Sequence, residues 1–278
     1  MILGNNCVAF MFDELRYELN GVEIDRNRNV GIICTIKNYI SLTHKTSKIL
    51  HNAAWNIVAN NGEGYINFCV PLNLLLGFCE AYKRVVINAR HELILIRSRN
   101  DNNCLFGAQA AEAEIELHKI QWRMPHVILN EISKLSLLRA LESGKYLNMS
   151  FRLWELYEFP LLHSTTKHSW TVKTASQLEK PRYRYVILFD MYASFRKSYY
   201  GCNNDNVLFT MAKFLECGPL TVIDCSRQNE SVKNATVDVR IEFECKLDVP
   251  ANITAYCLIL YDHIVECNPL TNVVRKIT

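Results

Sequence analysis

Apolar and polar positions change period several times along the chain, and each change predicts an element. Between residues 236 and 245, Val237, Val239, Ile241, Phe243 and Cys245 alternate with Asp238, Arg240, Glu242 and Glu244. A strict two-residue period predicts a strand with one face on a core and one in water. Residues 8–19 have strand character, Asn20-Gly21 is a two-residue hairpin signal, and Val22, Glu23 and Ile24 begin the return strand. Residues 30–42, rich in Ile, Val, Thr and Tyr, predict another strand, as do residues 85–97 and 115–122. Residues 93–96 are continuous enough in apolar character to be buried on both faces. Residues 98–114 are polar and read as a long surface loop.

Elsewhere the period is helical. Leu72, Leu75, Leu76, Cys79 and Tyr82 fall at helical spacing behind Pro71, which suits a first turn. Asn130 can cap a helix in which Ile132, Leu135, Leu138 and Leu141 recur every third residue until Gly144. Leu188, Met191, Tyr192, Phe195 and Tyr199 recur at helical spacing and stop at Gly201, and residues 208–215 make a weaker helix.

Residues 146–192 are the richest stretch in aromatic and strand-favouring residues. Strand-like runs at 146–151, 169–174 and 182–189 are separated by Pro160, the polar run 164–167 and Pro181. Phe151, Trp154, Tyr157, Phe159, Trp170, Tyr183 and Tyr185 are large rings mixed with Leu and Val, and read as core. The pattern as a whole predicts an all-β chain with corners and a few short helices.

Composition narrows the classes. With 278 residues, 49% hydrophobic and 21% charged, the chain is long enough to bury a sizeable core and ordinary for a folded protein. A net charge of +3 gives no concentrated basic face for nucleic acid, and the clusters at 26–28, 97–99 and 180–184 read as solvated turns. No short-period repeat points to a solenoid or propeller. Eleven cysteines, an odd number with no Cys-x-x-Cys, predict reduced thiols, with Cys34, Cys69, Cys79, Cys245 and Cys257 packed as small hydrophobes in apolar runs. The start, MILGNNCVAFMF, lacks the basic region of a signal peptide, and no apolar run has the length of a membrane span. The expectation is an intracellular, non-secreted protein whose sequons at Asn148, Asn229, Asn234 and Asn252 stay unmodified.

Catalytic patterns are weak. His163 and His168 are five residues apart across a turn, without the three or four converging ligands a metal site needs. His91 with Glu92, and His126 after Pro125, read as packed or rim residues. Cys and His are numerous enough for a nucleophilic pair, but no local signature marks one. Gly62-Glu63-Gly64 fits neither phosphate-loop pattern and reads as a turn. No catalytic, cofactor-binding or metal residue is therefore assigned, and no enzyme is expected.

Several long phrases carry a resemblance: FDELRYELNGVEIDRNRNVG at 12–31, AYKRVVINARHELILIRSRNDNN at 81–103, IQWRMPHVILNEISKLSLLRALESG at 120–144, FRLWELYEFPLLHSTTKHSWTVKTASQLEKPRY at 151–183 and VIDCSRQNESVKNATVDVRIEFE at 222–244. They resemble the double jelly roll-like proteins of invertebrate genomes, which look like major capsid proteins of Polinton or adintovirus type. The resemblance implies two antiparallel β-sandwich barrels, here divided as residues 1–129 and 130–278. It also implies trimers that tile an icosahedral shell, with self-association and neighbouring capsomers as partners and the virion as destination. Two departures subtract from that pattern: the start at an interior strand of the first barrel, and a join near 182–185 where the family has further strands. The double jelly roll is thus expected to be incomplete, with fewer than sixteen strands, as in an endogenous, virus- or transposon-derived copy. The alternatives are a host-resident, non-assembling remnant and a lectin-like jelly-roll binding module.

Overall fold

The computed structural model describes residues 2–56, 58–59, 65–107, 113–144, 146–173, 185–201, 208–217, 220–223 and 238–277. In chain order the elements are β1 (Ile2–Leu3), α1 (Cys7–Phe10), β2 (Phe12–Leu19), β3 (Val22–Arg28), α2 (Val30–Ser41), α3 (His44–Ile49), β4 (Val58–Ala59) and α4 (Gly77–Ala81). There follow β5 (His91–Arg97), β6 (Leu105–Phe106), α5 (Glu131–Glu142), β7 (Leu147–Phe159), β8 (Lys167–Lys173), α6 (Tyr185–Tyr200), α7 (Met211–Cys217), β9 (Asp238–Glu244), β10 (Ala255–Asn268) and β11 (Val273–Ile277). Single 3-10 turns lie at Leu50–Ala53 and Leu72–Leu74. The chain forms two compact units: unit 1 is Met1–Ile36, Ile49–Glu155 and Ile259–Thr278, and unit 2 is Lys37–Lys48 and Leu156–Leu258.

Unit 1 is built on the predicted hairpin. Asn20 and Gly21 both have positive φ, 52° and 77°, which is what the two central positions of a twisted hairpin turn require. Leu19 pairs with Val22, and β2 lies between β3 and β5 in an antiparallel sheet of order β3-β2-β5. The Asn20 side chain accepts from the Arg90 backbone N–H at 2.7 Å and donates to the Asn272 carbonyl at 3.1 Å, so the turn is held from two sides. Leu15, Tyr17 and Leu19 put one face of β2 into the core, together with Ile24, Val30 and Cys34. A sheet of order β11-β10-β7 adds Met149, Phe151, Val265, Cys267 and Val274. In β7 the side chains of Met149 and Phe151 are buried while Asn148, Ser150 and Arg152 are exposed, the two-residue period of a half-buried strand. A small third sheet has the order β4-β1-β6.

Unit 2 holds a second, smaller cluster. Tyr192, Phe209 and Phe214 are buried against Tyr39, Ile40, Leu188, Phe189 and Leu220. The Tyr192 hydroxyl donates to the Tyr39 carbonyl at 2.8 Å, and buried Arg196 donates to the Leu42 carbonyl at 2.7 Å while lying 5.8 Å over the Tyr192 ring. β8 and β9 pair antiparallel, with Trp170 opposite Ile241 and His168 opposite Phe243.

Several expectations are corrected. Val30–Ser41, the bulk of the expected strand 30–42, is helical, because the buried positions Val30, Ile33, Cys34, Lys37 and Asn38 repeat at three and four residues and β-branched content alone does not set the period. Residues 185–189 open helix α6; the strand-like run there and the helical period from Leu188 overlap, and the helical period prevails. The helix behind Pro71 breaks at Leu76, whose extended backbone separates the 3-10 turn from α4. In the run 85–97 only His91–Arg97 is strand, and Ile96 is exposed rather than buried. Residues 115–122 pair with no strand. The loop 98–114 does reach the surface, but it carries β6 and buries Cys104 and Leu105. Cys69 is exposed, and Cys7, Cys34, Cys69, Cys79, Cys104, Cys245, Cys257 and Cys267 form no disulfide. Of the rings assigned to the core, Phe151, Trp154 and Trp170 are buried, Tyr157 and Phe159 are half-buried, and Tyr183 lies outside the described residues. β9 forms where alternation placed it, yet Ile241 and Phe243 are only half-buried because its sheet has two strands; Val237 lies outside the described residues. Strands form the larger part of the regular structure. Among the described residues the sheets have two or three strands and none closes into a barrel.

Candidate interaction surface

The inner face of the β3-β2-β5 sheet carries a chain of rings. Tyr17 stacks on Phe78 at 5.0 Å, Phe78 stacks on Tyr82 at 5.3 Å, and Phe78 meets Phe151 edge-on at 5.0 Å. Such offset and edge contacts add to the area the rings bury. Beside them opens a groove of about 2480 Å³, walled by Leu93, Leu95, Val70 and Val86 and by the segment 114–127. That segment is anchored at one end, where Ile115 donates its N–H to Asp101 at 2.8 Å and Arg97 reaches the Ile115 carbonyl at 3.3 Å. It touches the sheet again through Trp122, edge-on to Tyr17 at 6.3 Å. A second sheet would cover such a face in a sandwich. Here irregular chain lies over it.

The outer face of the same hairpin is charged. Glu14, with its side chain almost wholly buried, receives Arg16 and Arg26 at 2.6 Å and Arg28 at 3.5 Å, while Glu23 meets Arg16, Arg26 and Lys276. Burial pushes the Glu14 carboxyl up, but the hydrogen bonds and charges of Arg26 and Arg16 outweigh it and hold the carboxyl below its usual range. The alternation Glu14, Arg16, Glu18 signals this face in the sequence.

The titratable residues singled out from sequence separate. His91 shares a hydrogen bond of 2.6 Å with the Tyr17 hydroxyl, and burial, then the neighbouring His126, lower its pKa. Glu92 is taken up by Arg90 at 2.6 Å. His168 stacks on Phe243 at 4.8 Å and bonds the Thr165 carbonyl at 2.9 Å, whereas His163 is exposed. Gly62-Glu63-Gly64 lies outside the described residues. Burial, with the nearby Asp25 charge, pushes the Cys79 thiol up to about 12, and burial lifts Cys7 to about 11. Thiols of that kind are protonated at neutral pH and are poor nucleophiles. Among the described residues no group of three or more His, Cys, Asp or Glu could hold a metal ion.

Asp25 and Asn27 are among the buried polar residues that no motif marks. Asp25 accepts the Phe78 backbone N–H at 2.8 Å, and Asn27 donates to the Leu75 carbonyl at 2.5 Å. Their shared parity in β3 was the available signal, since it places both on one face of the strand.

Helix α5 is the most exposed apolar element. Its cap forms as expected, with the Asn130 side chain accepting from the Ser133 N–H at 2.8 Å and Gly144 ending it at φ 68°. Its orientation does not follow the three-residue repeat. Leu141 is buried and Leu137 half-buried on one side, while Ile132, Leu135 and Leu138 are 81%, 53% and 44% exposed on the other. The preceding Val127 and Ile128 are exposed too, Ile128 at 97%. A shallow hollow of about 270 Å³ on the outer side is lined by Ile132, Leu135, Ser136 and Arg139. Contiguous exposed apolar surface of this kind makes the helix a candidate interaction surface. A family model described as a double jelly roll-like domain matches residues 1–184 and 184–265 of the chain. No curated protein matches it.

Proposed function

Because the chain belongs to the double jelly roll-like domain family, we propose that it is a structural protein of the capsid type, which works by self-association and not by catalysis. The family match is the observation that carries this reading, since the double jelly roll is the fold of viral capsid proteins. In its full form the protein is a trimeric capsomer of Polinton or adintovirus type whose two barrels per chain tile an icosahedral shell. It is an endogenous copy, resident inside the cell and in the virion where it assembles. The reading requires no metal, cofactor, membrane or specific nucleic-acid contact. The exposed apolar surface at 127–138 and the protonated thiols support it over an enzyme. The rings in unit 1 stack on one another within the core, which supports it over a sugar-binding groove.

A second reading is a host-resident copy that no longer assembles. One observation favours it: among the described residues no sheet exceeds three strands, and open edges leave backbone donors and acceptors for irregular association. Light scattering behind a sizing column, followed by electron microscopy of concentrated protein, separates the two. Monodisperse trimers or regular shells support the capsid reading. Heterogeneous aggregates or monomers at every concentration support the remnant, and a monomer that binds a glycan array supports a lectin.

A further inference from the structure

We propose that the groove on the inner face of the β3-β2-β5 sheet binds a long-chain fatty acid, its carboxylate at the Tyr17 end and its acyl chain laid along β5. The proposal goes beyond the capsid reading and does not depend on it. Two properties of the lining carry it: charge is segregated between the ends, and the floor between them is apolar.

The cationic end gathers around one ring. Tyr82 stacks on Phe78, Phe78 stacks on Tyr17, and Trp122 meets Tyr17 edge-on, so Lys83 and Arg84 after Tyr82, and Arg123 after Trp122, come from stretches of chain that converge there. All three line the groove and are exposed. Among the described residues none of them has a carboxylate partner, whereas Arg90 nearby is taken up by Glu92. His91, bonded to the Tyr17 hydroxyl, belongs to the same end. The anionic end lies at the other end of β5. There Glu114 and Glu116 flank Ile115, which is tied to Asp101 and Arg97. Lys119 stands between the two ends on the covering segment. A lone carboxylate is drawn to the first end and repelled from the second.

The floor runs from His91 through Leu93 to Leu95 in β5, and alongside it from Tyr17 through Leu15 to Phe12 in β2. At about 3.3 Å per residue, His91 to Arg97 covers roughly 20 Å. An acyl chain is about 15 Å long, half of a hydrocarbon core of about 30 Å. The lengths agree. Ile120 and Trp122, 57% and 37% exposed, line the groove from the covering segment and would lose exposure with a chain beneath them. An extended acidic peptide fits less well, because carboxylates spread along it would meet Glu114 and Glu116 and its backbone would bring polar groups onto the apolar floor.

Titration of the full chain with palmitate, kept below the concentration at which it self-associates and followed by calorimetry and tryptophan fluorescence, tests the site. Binding should saturate near one equivalent. Hexadecanol, which has the chain without the charge, should bind roughly tenfold more weakly or worse. Arg84→Glu and Arg123→Glu should each weaken palmitate by a similar factor and leave hexadecanol unchanged, whereas Arg139→Glu, which makes the same change of net charge on α5, should leave both unchanged. Trp122→Phe should bind palmitate and lose most of the fluorescence change. Circular dichroism should be the same in all of these variants, since the altered side chains lie at the surface or keep a ring. Absence of saturable binding would overturn the proposal, as would equal affinity for palmitate and hexadecanol or an equal loss in Arg139→Glu. Tighter binding of a lysophospholipid would assign the cations to a phosphate head and overturn the fatty acid. Binding of an alternating Glu-Leu peptide in place of palmitate would overturn it in favour of a protein partner. The oligomeric state of the chain in the same samples bears on the capsid reading alone.

Discussion

The Asp25 carboxylate accepts the backbone N–H of Phe78 at 2.8 Å from within the core of unit 1. Asp25 sits in β3 and Phe78 near the start of α4, so one buried side chain supplies a hydrogen bond that the first turn of a helix cannot make for itself. Asn27 acts in the same way on the Leu75 carbonyl. Between them they hold the break at Leu76 and so turn an expected single helix into two short pieces. The second carboxylate oxygen of Asp25 has no partner, and ionisation there is costly.

Stability should therefore fall with rising pH through this group. Burial pushes the Asp25 carboxyl from 3.8 to about 6, against the backbone N–H groups that lower it. Below 3.8 the group is protonated in both states and its contribution is fully present; as pH rises through 6 that contribution is lost. Asp25→Asn should be more stable than wild type at pH 8 by up to roughly 3 kcal/mol. The advantage should vanish by pH 4. Urea midpoints at several pH values measure this, and a difference independent of pH would refute the burial account.

Glu14 carries the opposite sign. Its carboxyl is held low, so it contributes stability above its ordinary value of 4.5 that is lost as pH falls through the lowered one. Glu14→Gln should lower Tm by a few degrees at pH 7, with a gap that narrows in acid. Thermal melts at pH 7 and pH 3 decide it; equal gaps would mean the three arginines do not sense the charge.

Gly77 is required by space and not by backbone freedom. A Cβ there would lie 1.9 Å from the Arg152 carbonyl oxygen, which is backbone and cannot move aside. Gly77→Ala should cost about 1–3 kcal/mol from overpacking, or more. Gly144→Ala is the contrast: it meets open space but keeps φ at 68°, and should lose only about 1–2 kcal/mol. Chemical denaturation of both variants tests the distinction, and a neutral Gly77→Ala would show that α4 can lift away from β7.

The two sides of α5 should separate stability from association. Leu141→Ala removes a buried side chain and should cost about 2–5 kcal/mol. Leu138→Ala should change monomer stability by no more than about 0.5 kcal/mol. Unfolding measured at low concentration, where association is absent, gives both values. A large loss at Leu138 would mean that this side is covered.

Local signals were legible wherever one residue type alone meets a backbone demand. Asn20-Gly21 gave the hairpin because both positions need positive φ, and Asn130 with Gly144 bounded α5 because a cap and a left-handed terminus need those residues. Period was legible only where composition agreed with it. In residues 30–42 the Ile, Val and Thr content pointed to strand, while the buried set Val30, Ile33, Cys34 and Lys37 obeys the helix. Residues 115–122 have strand-favouring residues but change apolar parity between Leu117 and Ile120, and a strand also needs a neighbour's backbone, which no pattern within the segment supplies. The interaction surface was hidden for a similar reason. Four apolar residues at i+3 say that α5 is amphipathic, yet only packing decides that Leu141 turns inward and Leu135 outward.

Unit 1 is assembled from three separated stretches of chain, the last of which is Ile259–Thr278. Val265 and Cys267 in that stretch are fully buried among residues from the first third of the sequence, such as Leu15 and Leu76. During synthesis the hairpin of β2 and β3 emerges well before residues 259–278 and can form at once, but the apolar face that meets Val265 and Cys267 has no cover until those later residues have been made. At about 5–20 residues per second, that face waits on the order of ten seconds or more. Over this interval the nascent chain offers chaperones a defined client surface, and slowing translation beyond residue 155 should lengthen their residence on it.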